Sequence, residues 1–300
     1  MKHASTFFAY ARERQNILLR RRAGLPREEW TRDPILQRYR FTCVRREDDR
    51  TTIWFREHVR DPMRDRPEVL LATVVFRMLN RVEVGEAMFC QPDLGGRTGF
   101  DLFYRTEMAS ELKRNILALV GKRGPFVTGA YIISSPQGKS KLDGVMSVLQ
   151  NFHRKSGWRD VAECMMQKTP YSLQEAHVWF RAQPWMGSFH SYEIVSDLRW
   201  TSLLDRAPDI MTWAHAGPGA RRGLNRIAGR DKRDKSLSQD ELVGEMRELL
   251  AMSGDEKNWP QKNKRDWPAL EMRDIEHLSC EVDKMMRVQN GEGRPRGVYR

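Results

Sequence analysis

The feature that most limits how this chain can fold is the spacing of its apolar residues, which recur at helical intervals along most of its length. Such spacing gathers them on one face of a helix and scatters them over both faces of a strand. Phe7, Phe8, Ala11, Ile17 and Leu18 define this face in a helix predicted over residues 6–23, which Gly24 and Pro26 end. Met108, Leu112, Ile116, Leu119 and Val120 define another over 107–120, and the same reasoning predicts helices over 67–84, 142–156 and 158–168. Only residues 124–134 have strand-like composition. An all-α fold with few or no strands is expected.

Hydrophobic residues make up 40% of the 300, with 9 Trp and 12 Phe, which is enough apolar surface for a core and excludes whole-chain disorder. At ~100–200 residues per domain, residues 1–300 are expected to form a single helical domain in two lobes. The longest apolar run, residues 69–76, falls short of the ~20 residues a membrane span needs. Arg12 also arrives before the apolar region of a signal peptide could form, so a cytoplasmic protein without membrane contact is expected. Cys43, Cys90, Cys164 and Cys280 form no Cys-x-x-Cys pair, and only Cys280 has a close histidine, His277. Four buried reduced thiols are expected, with no metal site and no cofactor.

Lys and Arg number 52 and Asp and Glu 40, a net +12 that favours polyanionic partners. The excess is concentrated in a few places. The first helix carries Arg12, Arg14, Arg20, Arg21 and Arg22 on its predicted surface, against Glu13 alone. A basic helix is predicted through 41–50, where Arg46, Asp49 and Arg50 share a face and internal ion pairs are the plain structural alternative. Between 216 and 226, Gly217 and Gly219 precede Arg221 and Arg222, a pairing of exposed N–H groups and guanidinium forks suited to phosphate. A flexible turn ahead of a basic helix would look the same. The glycine-rich end, which includes Arg294, suits a phosphate backbone or a frayed terminus. Residues 229–268 open with a charged run. They continue with a Ser238–Glu241 capping box and a helix through Leu242, Met246, Leu249 and Leu250, and read as a charged insertion or lid.

Four segments carry candidate chemistry. Gln137-Gly-Lys-Ser140 resembles part of a phosphate loop, but the pattern needs glycine where Ile133 stands, so a nucleotide-kinase site is excluded. Residues 180–198 place a Pro-Trp-Met-Gly turn ending at Gly187 between two apolar-periodic stretches, as in the helix-hairpin-helix of DNA glycosylases. Any helix–turn–helix joint could give this pattern. Asp197, near the end of the second stretch, is either a proton acceptor or a helix-end carboxylate. Residues 274–284 set Glu276, Cys280, Glu281, Asp283 and Lys284 close together on a helix, and a lone Glu281–Lys284 pair would ordinarily be structural.

Several segments together resemble a known family. They are Arg12-Glu-Arg with Arg20 and Arg21, Trp30-Thr-Arg-Asp-Pro-Ile-Leu-Gln, and Tyr39-Arg-Phe-Thr with Arg46, Glu47, Asp49 and Arg50. Thr128-Gly-Ala-Tyr, Asp197-Leu, Gly217-Pro-Gly-Ala-Arg-Arg-Gly-Leu and Cys280-Glu-x-Asp-Lys complete the set. The chain resembles the helical, DNA-glycosylase-like family of phage thymidine hypermodification. That family includes the helical domain of 5-hydroxymethyluracil DNA kinases and the glutamyl/putrescinyl thymine pyrophosphorylases, or amino acid:DNA transferases. Cys43 stands where the family has Asn, and Met285 where it has an aromatic residue.

The resemblance implies a helix-hairpin-helix fold and double-stranded DNA containing modified thymine as partner. It also implies a free amino acid or polyamine as co-substrate, a partner 5-hydroxymethyluracil DNA kinase, and action in the cytoplasm of an infected bacterium. The implied reaction flips phosphorylated 5-hydroxymethyluracil out of DNA and replaces its phosphate or pyrophosphate with an amine nitrogen. Arg46, Arg50, Arg221 and Arg222 are the implied cradle for the leaving group. Asp197 is the preferred base and Glu281 the second choice, while Glu47, Asp49, Asp283 and Lys284 organise the pocket. Arg12, Arg20, Gly187, Gly217, Gly219 and Arg294 would grip DNA. The rival readings are a non-catalytic module that recognises modified thymine for a kinase, and a glycosylase that excises the base.

Overall fold

The computed structural model describes residues 1–121, 125–127, 136–167, 170–260 and 263–299. The Thr128-Gly-Ala-Tyr motif, most of the strand-like stretch and Lys168 lie outside them. Among the described residues there are fourteen α-helices. These are α1 (Ala4–Arg22), α2 (Pro34–Arg38), α3 (Arg50–Phe55), α4 (Glu68–Leu79), α5 (Val82–Gly85), α6 (Gly99–Thr106) and α7 (Ser110–Val120). There follow α8 (Lys141–Lys155), α9 (Trp158–Met166), α10 (Leu173–Arg181), α11 (Ser188–Leu198), α12 (Pro218–Ala228), α13 (Gln239–Met252) and α14 (Met272–Gln289). The fold is all-α, and the β pairing among these residues is one isolated bridge, Tyr39 to Val298. The chain divides into two compact units, Met1–Asp49 with Ile210–Arg300, and Arg50–Asp209. No helix among the described residues is long and apolar enough to cross a membrane.

The first unit holds α1, α2 and α12–α14. The inner face of α1 buries Phe7, Phe8, Tyr10, Ala11, Ile17 and Leu18, and also Arg14, which the sequence had placed on the surface. Asp33 starts α2 by accepting from the N–H groups of Ile35 (2.8 Å) and Leu36 (3.1 Å), with Pro34 where a missing donor costs nothing. Ser238 and Glu241 form the expected capping box of α13. That helix buries Leu242, Val243, Met246 and Leu249, and Trp259 beyond it is fully buried, so residues 229–268 contribute to this unit's core. Glycines bring α12 against α14: a Cβ on Gly223 would stand 1.9 Å from the Ser279 carbonyl oxygen, and one on Gly219 would stand 2.9 Å from the Cys280 sulfur.

The helix predicted through 41–50 does not form. Its backbone donors go to side chains instead: Thr42 N–H to Glu281 Oε2 (3.2 Å) and Cys43 N–H to Asp49 Oδ1 (2.9 Å). These carboxylates supply an alternative to the helical carbonyl, which holds the segment open until one tight turn at Arg46–Asp48. The glycine-rich end is also ordered. Arg40 N–H donates to Gly297 O (2.9 Å), Tyr299 N–H donates to Arg38 O (3.1 Å), and Arg27 and Arg40 lie against the Tyr299 ring.

The second unit holds α3–α11. α4 is buried on every side, as its apolar centre requires. The helix predicted over 67–84 breaks at Asn80, which takes the left-handed conformation (φ 53°) that asparagine tolerates, and α5 follows. Glu107 (φ 58°) separates α6 from α7 in the same way. α10 and α11 pack as a hairpin whose connecting turn includes Trp185 at φ 68°. All four cysteines are free, but Cys90 and Cys164 are exposed, which corrects the expectation of four buried thiols.

Candidate active site

In the first unit α14 presents a polar stripe. Glu276, Cys280 and Lys284 follow one another at four-residue spacing, flanked by His277 and Glu281. Two other pieces of chain pack on it. From the 42–49 segment, Thr42 donates to Glu281, the Cys43 backbone lies near the His277 ring, and Arg46 is near enough to affect both Glu276 and His277. From the start of α12, the Gly217 backbone lies near enough to Glu276 to favour its ionised form. Within the stripe, Cys280 Sγ donates to Glu276 Oε1 (3.6 Å) and Lys284 Nζ pairs with Glu281 Oε1.

Burial governs the proton affinities of this stripe. It pushes the Glu276 carboxyl up to about 7, against the charges of Arg273 and Arg46 and the Gly217 N–H, which favour ionisation. It holds His277 well below the usual imidazole range, helped by Arg273, Lys284 and Arg46, so the ring is neutral. Burial and the neighbouring Glu276 and Glu281 raise Cys280 well above the ordinary thiol value, so it is not a nucleophilic thiolate. For Lys284 burial opposes the charge, yet Glu281 overrides it and raises the amine. The stripe therefore combines a carboxyl that exchanges protons near neutral pH with an anchored Glu–Lys pair. Among the described residues, no group of three or more His, Cys, Asp or Glu could hold a metal ion.

The other expected site residues fall into distinct places. Asp49 binds the Cys43 N–H behind the stripe, and burial raises its carboxyl despite that bond and the charges of Arg14 and Arg46. Glu47 lies half-buried on the tight turn with Arg46. Asp283 is buried between Arg222 Nε (2.9 Å) and Arg226 Nε (2.9 Å), and Arg226 continues to Glu292 Oε2 (2.5 Å). Arg222 reaches back toward the start of α12, its Nη2 lying 3.9 Å from a Cβ placed on Gly219. Gly219 itself is needed for close approach to Cys280, a packing role that the anion-nest expectation had missed. Arg221 instead donates to Leu237 O (2.6 Å), and Arg50 is exposed at the start of the second unit.

Asp197, the expected base, is fully buried in the second unit. Arg77 grips both of its oxygens, Nε to Oδ2 and Nη2 to Oδ1 (2.8 Å), and also donates to Asn80 Oδ1 (2.6 Å) and Thr52 Oγ1 (3.3 Å). The guanidinium lies over the rings of Phe55 and Phe76. Held on both oxygens by a guanidinium, the buried carboxylate ties α11 to α4. Gly187 precedes α11 in an exposed turn, and no neighbour lies within 4 Å of where its Cβ would stand.

Several expected DNA-gripping residues already have protein partners. Arg12 donates to the carbonyls of Lys257 (2.6 Å) and Asn258 (3.0 Å), and Arg20 to Trp30 O (2.6 Å) and Glu13. Arg294 lines a groove of about 410 Å³ with Pro34, Ile35, Arg38 and Tyr39. Sequence reasoning gave Tyr10 and Arg77 no part in a site and placed Arg14 on the surface of α1. A usable signal existed for Tyr10 and Arg14, because positions 7, 10, 11, 14 and 18 share one helical stripe. Arg77 faces a partner 120 positions away, which no local pattern reveals.

The fold and the stripe define an all-helical protein whose polar site is built on its last helix. The family described as "5-hmdU DNA kinase, helical domain" matches residues 1–294, and the chain belongs to it. Among curated proteins, the 5-hmdU DNA kinase of Bacillus phage SP10 is 26% identical over 242 residues, covering 74% of this chain and 35% of that kinase. The chain thus spans about a third of that relative's length. No solved structure matches.

Proposed function

We propose that this chain takes part in thymine hypermodification of phage DNA in the host cytoplasm, as an amino acid:DNA transferase. The observation that carries the reading is the α14 stripe. Glu281 is 2% exposed and held by Thr42 and Lys284, a neutral-range carboxyl lies nearby at Glu276, and Arg46 and Arg222 border the same helix. Displacement of phosphate by an amine needs a proton acceptor and fixed cations for the departing anion. In this reading phosphorylated 5-hydroxymethyluracil is flipped out of duplex DNA, and the amine nitrogen attacks its 5-methylene carbon. The C–N bond forms as the C–O bond breaks, its electron pair leaves with the phosphate or pyrophosphate toward Arg46 and Arg222, and the ammonium proton passes to Glu281. The phosphoryl group comes from a kinase activity that residues 137–140 do not supply, because Ile133 interrupts their phosphate-loop pattern. Asp197 is given no part in the chemistry.

The test is to incubate the protein with DNA carrying phosphorylated or pyrophosphorylated 5-hydroxymethyluracil and a mixture of amino acids and polyamines, then digest to nucleosides for mass spectrometry. An amine adduct is expected, falling about 100-fold or more in rate in Glu281→Gln. Abasic sites would mean base excision, and bound but unaltered DNA would mean a recognition module. Either result overturns the transferase reading.

A further inference from the structure

Of the 9 Trp and 12 Phe, two are exposed among the described residues, Trp185 (46%) and Phe189 (45%). Both stand where α10 meets α11 in the second unit. Gln183 O accepts from the Met186 N–H (3.2 Å), closing a four-residue turn with Pro184 second and Trp185 third. With proline second, a left-handed third residue is the mark of a type II turn, and that place normally goes to glycine or asparagine. Trp185 holds it at φ 68°, a conformation that is costly for a bulky side chain.

With nearly half of its surface in water, the ring recovers little of that cost by packing. The turn beneath it is fixed all the same. Met186 is buried, Gln183 N–H donates to Phe180 O (3.0 Å), and His177 Nε2 donates to Ser188 O (3.2 Å). A strained, outward residue on a rigid support points to a contact outside the chain. Size and charge narrow what that contact is. A standard protein interface takes about 800 Å² from each partner, more than one turn with two rings offers. A step between stacked bases, by contrast, is opened by a single apolar side chain. No Asp or Glu lies between 176 and 192, Arg181 is exposed beside the turn, and Lys141 of α8 is near enough to act on His190. The approach therefore favours a polyanion.

We infer that Trp185 inserts between the bases of duplex DNA with Phe189 beside it, so that the α10–α11 turn is a wedge that opens a base step. Duplex DNA as the partner rests on the proposed function, but the amine-transfer chemistry does not enter. Gly187 on the same turn was expected to grip a phosphate, whereas the contact inferred here is with the bases.

The test is to titrate an unmodified duplex carrying 2-aminopurine, whose fluorescence stacking quenches, with the full chain. The wild type should raise the emission as the step opens. Trp185→Asn should abolish the rise and weaken binding about tenfold or more, the worth of one stacked ring. Phe189→Ala should do so in part, and Trp185→Phe should keep most of the rise. The melting temperature of Trp185→Asn should hold or increase, since asparagine tolerates the left-handed conformation. Its affinity should fall with salt at the wild-type slope, because no phosphate contact is lost. The wedge is refuted by a wild type that leaves the emission unchanged or by a Trp185→Asn variant that matches it in emission and affinity. A Trp185→Asn variant of lower melting temperature also refutes it, by making the ring a structural one. Running the transfer assay in parallel separates the two claims. A Trp185-dependent emission rise with no amine adduct keeps the wedge and sinks the transferase. An adduct formed with no emission rise does the reverse.

Discussion

Glu276 shows how one residue can couple the site to stability. Its carboxyl titrates near 4.5 when unfolded and at about 7 in place. The folded state therefore holds the proton more tightly, and this contribution is complete below the unfolded value. It is lost as pH rises from about 4.5 through 7. Asp274, also raised to about 7 by burial, acts in the same direction, while His177 and His190, lowered to about 4 by burial, act in the opposite one between 6.5 and 4. The single residue is isolated by comparison with Glu276→Gln, in which the other groups are common to both proteins. Wild-type stability minus variant stability should fall by about 3 kcal/mol between pH 4.5 and 7 and then level off. Urea melts across that range measure it, and a flat or rising difference would contradict the assignment of the proton to Glu276.

At the scale of elements, the contact of α12 with α14 leaves no room for a side chain at Gly223. Gly223→Ala should cost about 3 kcal/mol in denaturant melts, because the Ser279 carbonyl it meets is backbone and cannot rotate away. A variant of unchanged midpoint would show the helices free to part. These elements also show what the sequence made legible. α1, α8, α13 and α14 follow from periodicity and caps, which are local properties. The 41–50 segment misled because its fate is decided by Glu281, whose carboxylate reaches Thr42 from far along the chain. The site divides along the same line. Glu281 and Lys284 are neighbours on one helix and could be read together. Arg14 reaches the 41–43 segment only through the packing of α1, and Arg77, which holds Asp197, stands 120 positions away from it.

For the molecule as a whole, the +12 charge remains a prediction about duplex DNA, although Arg12 and Arg20 are occupied within the protein. Affinity for unmodified duplex should fall roughly tenfold or more between about 50 and 200 mM salt in fluorescence anisotropy, as counterion release requires. Salt-independent binding would show that the excess charge does not meet phosphates. The discontinuity of the first unit reaches into a different process. Its two segments, Met1–Asp49 and Ile210–Arg300, are separated by the whole second unit. During synthesis the second unit has all its residues before α12–α14 exist, whereas α1, with Phe7, Phe8, Ile17 and Leu18 on its buried face, precedes it. Closing so long a loop is slow compared with pairing neighbouring helices. The α1–α14 contact thus forms only after the whole second unit has been made, and the stripe takes its place in the first unit no earlier.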